Sequence, residues 1–532
     1  MVQAIRSTRG MAVAPHALAA QSALAVLREG GNALEAAIAA AATIAVVYPH
    51  MNGLGGDAFW LVHAPRRPPR GIEACGAAAA AASIEWYAAR GAARAIPFRG
   101  ALAANTVAGA VSGWGLAHAL ARRWGGRLPL ARLLADAIHY AEHGFAVSAS
   151  QSVATAAKRA ELESVPGFRE AFLPGGAAPA PGTLFRQPRL AETLKRIARA
   201  GPEDFYRGRL AQAIARDLAA LGSPIAARDL ARHRARFVAP LVLEHSLGTL
   251  YNLPPPTQGV ASLLILGILD ALGIGATGPA SPDYVHLAVE ATKQAFAVRD
   301  RHVADPTRTA VAAQSLLAPA RVRELAARVD RERAAPWGPG RQAAGTVWLG
   351  VFDAHGRAVS MLQSLYHEFG TGAVLEETGI AWQNRGASFA LDPAALNALA
   401  PGRKPFHTLN PALALLRDGR TIVYGAMGGD GQPQTQCALF TRIAVFGMDP
   451  QSAVDAPRWL LGRTWGQPSD TLKLESRFPA AVPDVLGRRG HEIEILGPYE
   501  EAMGHAGAIV RRADGVLEGG ADPRSDGAVA AY

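Results

Sequence analysis

Thr346 follows Gly345 where a proline- and glycine-rich stretch, residues 334–345 (Ala-Ala-Pro-Trp-Gly-Pro-Gly-Arg-Gln-Ala-Ala-Gly), gives way to an alternating apolar run. A threonine hydroxyl is a weak nucleophile and needs a base beside it. At a chain terminus the residue's own α-amine can take the proton. A free α-amine titrates at about pH 7.7–8.0, whereas the same nitrogen inside an intact chain is a non-basic amide. A cut between Gly345 and Thr346 would therefore create nucleophile and base in one residue. The stretch before it is expected to be exposed and mobile. Taken alone, a Gly-Thr at a loop-to-strand junction is more often a plain strand start.

Other residue groupings carry weaker chemistry. The cluster Gly53-Leu54-Gly55-Gly56-Asp57 precedes a strand, whereas a phosphate-cradling loop leads from a strand into a helix, so it reads as a structural turn. Gly428-Gly429 alone reads as a turn, and His407 alone as a satisfied core or surface histidine. The two cysteines, Cys75 and Cys437, build neither a disulfide framework nor a zinc site. The histidines show no paired ligand spacing, so no metal and no cofactor is expected. The formal charge of +10 comes from arginines scattered singly, without the basic stripe and interleaved aromatics of a nucleic-acid binder.

The elements that must position Thr346 follow from periodicity. Thr346 to Asp353 alternates as a strand, Ala354-His355-Gly356-Arg357 is a turn, and Ala358 to Leu365 is a second strand. Near the start, Pro15 to Arg28 has helical spacing and stops at Gly30-Gly31; Asn32 can cap the next helix, which runs apolar to Pro49. The run Ala36 to Tyr48 is too short to span a membrane and reads as a buried core helix. The strand Ala58 to Val62 comes next, then a loop over 64–71. Helical patterns dominate from Leu128 to about Glu332, among them Arg189 to Arg199 and Tyr284 to Arg299. The first residues lack a basic and apolar leader, which predicts a cytoplasmic protein with no membrane partner.

Several motifs in register resemble the γ-glutamyltransferase family over nearly the whole chain. In the second part these are Thr346 with its hairpin, Phe369-Gly370-Thr371-Gly372, Thr378-Gly379-Ile380, Gln383-Asn384, Lys404-Pro405, Leu409-Asn410-Pro411 and Gly428-Gly429. In the first part they are Gly10-Met11-Ala12-Val13, Gly30-Gly31-Asn32-Ala33, Gly53 to Asp57, Phe205-Tyr206-Arg207-Gly208, and Glu290-Ala291 with Asp300-Arg301. The resemblance implies an α/β fold, the four-layer αββα sandwich of N-terminal-nucleophile hydrolases. It also implies self-cleavage into a large fragment, residues 1–345, and a small one, residues 346–532. Its oxyanion donors fall on Gly428 and Gly429, its positioning hydroxyl on Ser364, and a polar pair on His407 and Thr408.

Departures from the family pattern bear on the substrate. Members that act on γ-glutamyl groups hold the α-carboxylate with an arginine and the α-amine with a glutamine and an acidic residue. Those positions fall here on Ala77, Arg385 and Ser388, and the asparagine after the positioning hydroxyl falls on Tyr366. A guanidinium repels an ammonium and pairs with a carboxylate. Arg385 thus favours a small or anionic acyl group, and the segments 383–389 and 428–434 resemble the oxamate amidohydrolase branch. The expected activity is hydrolysis of a small amide; the alternatives are a γ-glutamyl hydrolase or transferase with an unusual pocket, and an uncleaved scaffold protein. Expected partners are the small-molecule amide and the two fragments of the chain itself, with a homo-oligomer left open.

Overall fold

Alternation along two neighbouring strands decides the layering. In the strand Gly345–Phe352, Val347, Leu349 and Val351 enter one apolar core while Trp348 and Phe352 enter another. The strand Ala358–Tyr366 repeats this, with Val359 and Met361 on the first side and Ala358 and Leu362 on the second. Successive side chains of a strand point to opposite faces, so this sheet is covered on both.

The computed structural model describes residues 3–338, 345–462 and 469–532. Among them, two seven-stranded antiparallel sheets dominate. The first runs Ala528–Ala531, Met11–Ala14, Gly345–Phe352, Ala358–Tyr366, Asp57–His63, Arg70–Ala74, Arg236–Val238. The second runs Ile5–Ser7, Leu517–Ala521, Ala506–Arg511, Thr421–Ala426, Ala412–Leu416, Gly248–Asn252, Leu241–His245. Phe59, Leu61, Trp348 and Leu362 of the first meet Leu413, Val423, Ile509 and Leu517 of the second in a shared core. Trp348 fills the centre of that layer because glycines face it: a Cβ on Gly425 or Gly507 would stand 2.2 or 2.3 Å from its ring. The helices Ala17–Arg28, Ala33–Val47 and Ala110–Arg123 cover the outer face of the first sheet. Gly259–Ala271, Pro282–His302 and Gly431–Phe440 cover that of the second. The result is the expected αββα order.

Every residue of Ala33–Val47 is buried, as its all-round apolar composition requires. Asn32 caps it: its side chain accepts from the Leu34 and Glu35 amides, and Glu35 returns a bond to the Asn32 amide at 2.9 Å. The structure corrects three expectations. The loop over 64–71 ends early, because Arg70–Ala74 is already a strand paired with Asp57–His63. The region read as helical from Leu128 also holds the strands Arg236–Val238, Leu241–His245 and Gly248–Asn252, at or next to the sheet edges, whose runs of three to five residues are too short to carry a clear period-2 signal. The third concerns only the described beginning of the stretch before Thr346, where Pro336 and Gly338 are exposed as expected but their neighbours are anchored. Ala335 is tied down at both its amide and its carbonyl, by Glu290 at 3.1 Å and Lys293 at 2.6 Å, and Trp337 packs against Phe296. Residues 339–344 lie outside the described residues.

Candidate active site

Three adjacent strands place one residue each in a row at the end of the first sheet. Gly345 pairs with Tyr366 and Val347 with Gln363, so the register shifts at Thr346 and forms a bulge. Bulges re-aim side chains. Here the Thr346 hydroxyl donates to the Ser364 hydroxyl at 3.2 Å, with both residues buried between the sheets. On the far side of Ser364 its ladder partner is Asp57, the first residue of Asp57–His63. Two strand spacings, about 10 Å, separate the backbones of Thr346 and Asp57.

Ser364 also accepts from the Tyr366 amide at 2.8 Å, which holds Tyr366 at a φ of 85°. That left-handed backbone is costly for a bulky residue and persists only where the surroundings impose it. It lays the Tyr366 ring beneath Arg385, whose guanidinium carbon stands 3.9 Å from the ring centre. Arg385 opens a 3₁₀ turn, Arg385–Ser388, and is 1% exposed. Gly386 lets this turn close on Asn105: a Cβ there would stand 1.4 Å from the Asn105 side-chain oxygen. Arg385 donates through Nη1 to the Thr408 hydroxyl at 3.3 Å, while its Nε and Nη2 have no hydrogen-bond partner among the described residues. Burial pulls its guanidinium down to about 10. A buried cation on an aromatic face with two free planar donors suits a carboxylate.

Asp57 is the carboxylate that acts electrostatically on Arg385. Its Oδ1 accepts from the amides of Gly76 (3.2 Å) and Gly109 (3.0 Å) and from Gln383 (3.1 Å). Its Oδ2 has no hydrogen bond among the described residues and faces His407 Nε2 at 3.4 Å. Burial raises the Asp57 carboxyl to about 7 against the opposing pull of Arg385. Burial, with Arg385 and Lys404 nearby, drives His407 well below the usual histidine range, so it is neutral. The sequence offered Asp57 only as the last residue of the Gly53–Asp57 turn motif and gave it no role of its own, because the glycines before it explain the turn. Those glycines do have a steric reason, since Cβ atoms on Gly55 and Gly56 would stand 2.2 Å from the carbonyls of Ala381 and Ser364.

Gly428 and Gly429 have φ values of 125° and 52° and lead into the helix Gly431–Phe440. The Gly428 carbonyl accepts from the Gly431 amide at 2.7 Å, so the loop forms the helix's N-terminal turn, where backbone N–H groups favour negative charge. Gln258 joins this loop to the arginine socket, donating to the carbonyls of Gly429 (2.8 Å) and Thr408 (2.9 Å). Arg299 in turn donates to Gln258 (3.0 Å) and Asp430 (2.9 Å). Neither Gln258 nor Arg299 stood out in the sequence, because their link to the site exists only once two distant segments meet.

The remaining candidates sit further out. Ser388 turns toward the Phe406 carbonyl at 3.5 Å. Ala77 lines, with Cys75 and Lys404, a cavity of about 400 Å³. His286, Glu290 and His491 lie close enough to share a metal, a cluster that their sequence spacing hid. Their polar atoms are already engaged: His286 bonds His491 at 2.8 Å and the Asp330 carbonyl at 2.9 Å, and Glu290 holds Lys293 at 2.7 Å and the Ala335 amide.

Comparison with known proteins is consistent across the chain. The family model described as gamma-glutamyltranspeptidase matches residues 19–532. An oxamate amidohydrolase proenzyme from Klebsiella pneumoniae is 59% identical over 527 residues, covering 99% of both chains. A glutathione hydrolase-like proenzyme from Bacillus subtilis is 40% identical over 529 residues, again covering 99% of each. Among solved structures, a cephalosporin acylase from Bacillus halodurans superposes with a TM-score of 0.91 at 34% identity, over 100% of this chain and 97% of its own.

Proposed function

The chain belongs to the gamma-glutamyltranspeptidase family, and from that premise we propose that it cuts itself before Thr346 and then hydrolyses a small amide bearing a carboxylate, such as oxamate. The observation that carries the substrate is the buried Arg385, stacked on Tyr366 with two donors that have no hydrogen bond among the described residues. Support for self-cleavage comes from the bulge at Thr346, its bond to Ser364, and the proenzyme names of both similar relatives.

In maturation the Thr346 hydroxyl attacks the Gly345 carbonyl, the peptide C–N bond breaks as an ester forms and so frees the α-amine, and water then hydrolyses that ester to release the hydroxyl and leave Gly345 as a carboxylate. In turnover this amine takes the hydroxyl proton while the oxygen attacks the substrate amide. Negative charge collects on the carbonyl oxygen, beside the amides of the Gly428-Gly429 turn. The amide C–N bond then breaks, ammonia leaves with the proton, and water hydrolyses the acyl ester, giving oxalate from oxamate. Arg385 holds the carboxylate throughout, with Thr408 fixing its Nη1 and Tyr366 its plane. Ser364 orients Thr346. His407 backs Asp57, and Ser388 borders the turn that carries Arg385.

A direct test is ammonia release from oxamate against anilide release from a γ-glutamyl anilide by the purified protein. Oxamate is expected to give the higher kcat/KM; a preference for the anilide would overturn the substrate assignment. Gly429→Val probes the oxyanion role. Removing such a donor costs about 2.7–4 kcal/mol of barrier, so kcat should fall roughly 10²–10³-fold with KM nearly unchanged. An effect confined to KM would reduce Gly428-Gly429 to a turn.

A further inference from the structure

The charges around Arg385 leave a question that the reaction scheme does not answer. Arg385, Asp57 and His407 are each at most 1% exposed, and the Asp57 carboxylate already acts electrostatically on the cation. A substrate carboxylate entering this space makes two anions against one cation. An uncompensated buried charge is among the costliest states a protein can hold, and the usual relief is protonation.

We propose that Asp57 is a positioning residue that exchanges places electrically with the substrate: when a carboxylate binds Arg385, Asp57 takes up one proton from solvent and hands it in a hydrogen bond to His407. This rests on the assignment of Arg385 as the carboxylate clamp. The geometry is prepared for it. Oδ1 is saturated by three donors, so a proton goes to Oδ2, the oxygen without a hydrogen bond among the described residues. Oδ2 faces His407 Nε2 at 3.4 Å, and neither ring nitrogen of His407 has a hydrogen bond among the described residues. A neutral imidazole with its proton on Nδ1 presents an acceptor at Nε2. In that tautomer Oδ2 can donate to Nε2 only once it is protonated, and the pair, 3.4 Å apart and not hydrogen-bonded in the free protein, draws together as it does so, while Arg385 turns its charge to the ligand. Asp57 remains in the row with Ser364 and Thr346. Other groups around it do not replace it as proton acceptor. The Cys75 thiol and the Tyr206 phenol are held protonated by burial, Lys404 pairs with Glu73, and Gln383 is neutral.

The sign of the pH dependence follows. Asp57 in the free protein titrates at about 7. Below that it already carries the proton and binding is pH-independent. Above it, each bound carboxylate must draw a proton, so affinity falls about tenfold per pH unit. Oxalate is the probe. Calorimetric titration of the mature protein in buffers of different ionisation enthalpy should show uptake of about one proton per oxalate near pH 8 and nearly none near pH 6. Asp57→Asn should abolish the uptake and flatten the affinity profile. That also separates Asp57 from the Thr346 α-amine, which titrates in the same range. Should Asp57→Asn not fold, infrared difference spectra of wild type with ¹³C-oxalate keep the test decisive, because a protonated carboxyl C=O band should appear on binding. Oxalate binding without proton uptake, or with uptake that survives in Asp57→Asn, overturns the proposal and leaves the clamp standing. Absence of oxalate binding overturns both.

Discussion

Thr346→Ala is expected to run on a denaturing gel as a single chain of 55.6 kDa without amidase activity, where the wild type gives two bands. The smaller wild-type band should begin Thr-Val-Trp-Leu on N-terminal sequencing. Both losses have one cause, since the hydroxyl that opens the Gly345 peptide bond is the one that later attacks substrate. Losing a covalent nucleophile typically costs on the order of 10⁶ in kcat, so residual activity should be undetectable. The fold should tolerate the change, because the removed hydroxyl has its described bond to Ser364 and the strand register is set by main-chain pairing. Thr346→Ser keeps a hydroxyl and is expected to cleave. Normal cleavage of Thr346→Ala would sink the assignment, and a wild type that stays full length would favour the scaffold alternative.

Local patterns gave the elements around Thr346, while the site's internal chemistry came from contacts that no local pattern encodes. The hairpin 346–365 was legible because alternation and a Gly-containing turn act over a few residues, and Asn32 was legible as a cap for the same reason. The resemblance supplied Ser364, Gly428 and Gly429 as a set. Asp57 was hidden because its role depends on a ladder register that pairs it with Ser364 and on a loop that returns His407 to face it. Gln258 and Arg299 were hidden likewise: one is a helix cap and the other one of several charged residues at a helix end until the fold brings Thr408 and Asp430 beside them. Tyr366 looked like a lost asparagine; in the structure it supports the arginine that replaces an amine-binding glutamine, so the two departures form one unit. No helix among the described residues is long and apolar enough to cross a membrane.

Arg385→Gln is expected to move substrate preference from oxamate toward γ-glutamyl amides. A charge-assisted pair to a carboxylate contributes about 1.5–3 kcal/mol, so its loss should lower kcat/KM for oxamate by about tenfold to a hundredfold or more. The same change removes a cation from the place where a γ-glutamyl ammonium would lie, so action on a γ-glutamyl anilide should hold steady or rise. Such a substitution in a buried cluster risks leaving an opposite charge stranded. Asp57 averts this, because its carboxyl already sits at about 7 with Arg385 present. Without the cation it rises further and the residue stays neutral at working pH, so the variant should mature normally. Arg385→Lys should recover only part of the oxamate activity, since an ammonium offers a point charge where the guanidinium offers two coplanar donors and stacks on Tyr366. The comparison is kcat/KM for both compounds in the three proteins, each first shown to be cleaved. If the glutamine variant keeps the wild-type preference, Arg385 is not the selector. The Thr346 chemistry would then stand with a different clamp, and Lys404, beside the cavity that Cys75 and Ala77 line, would be the next cation to replace.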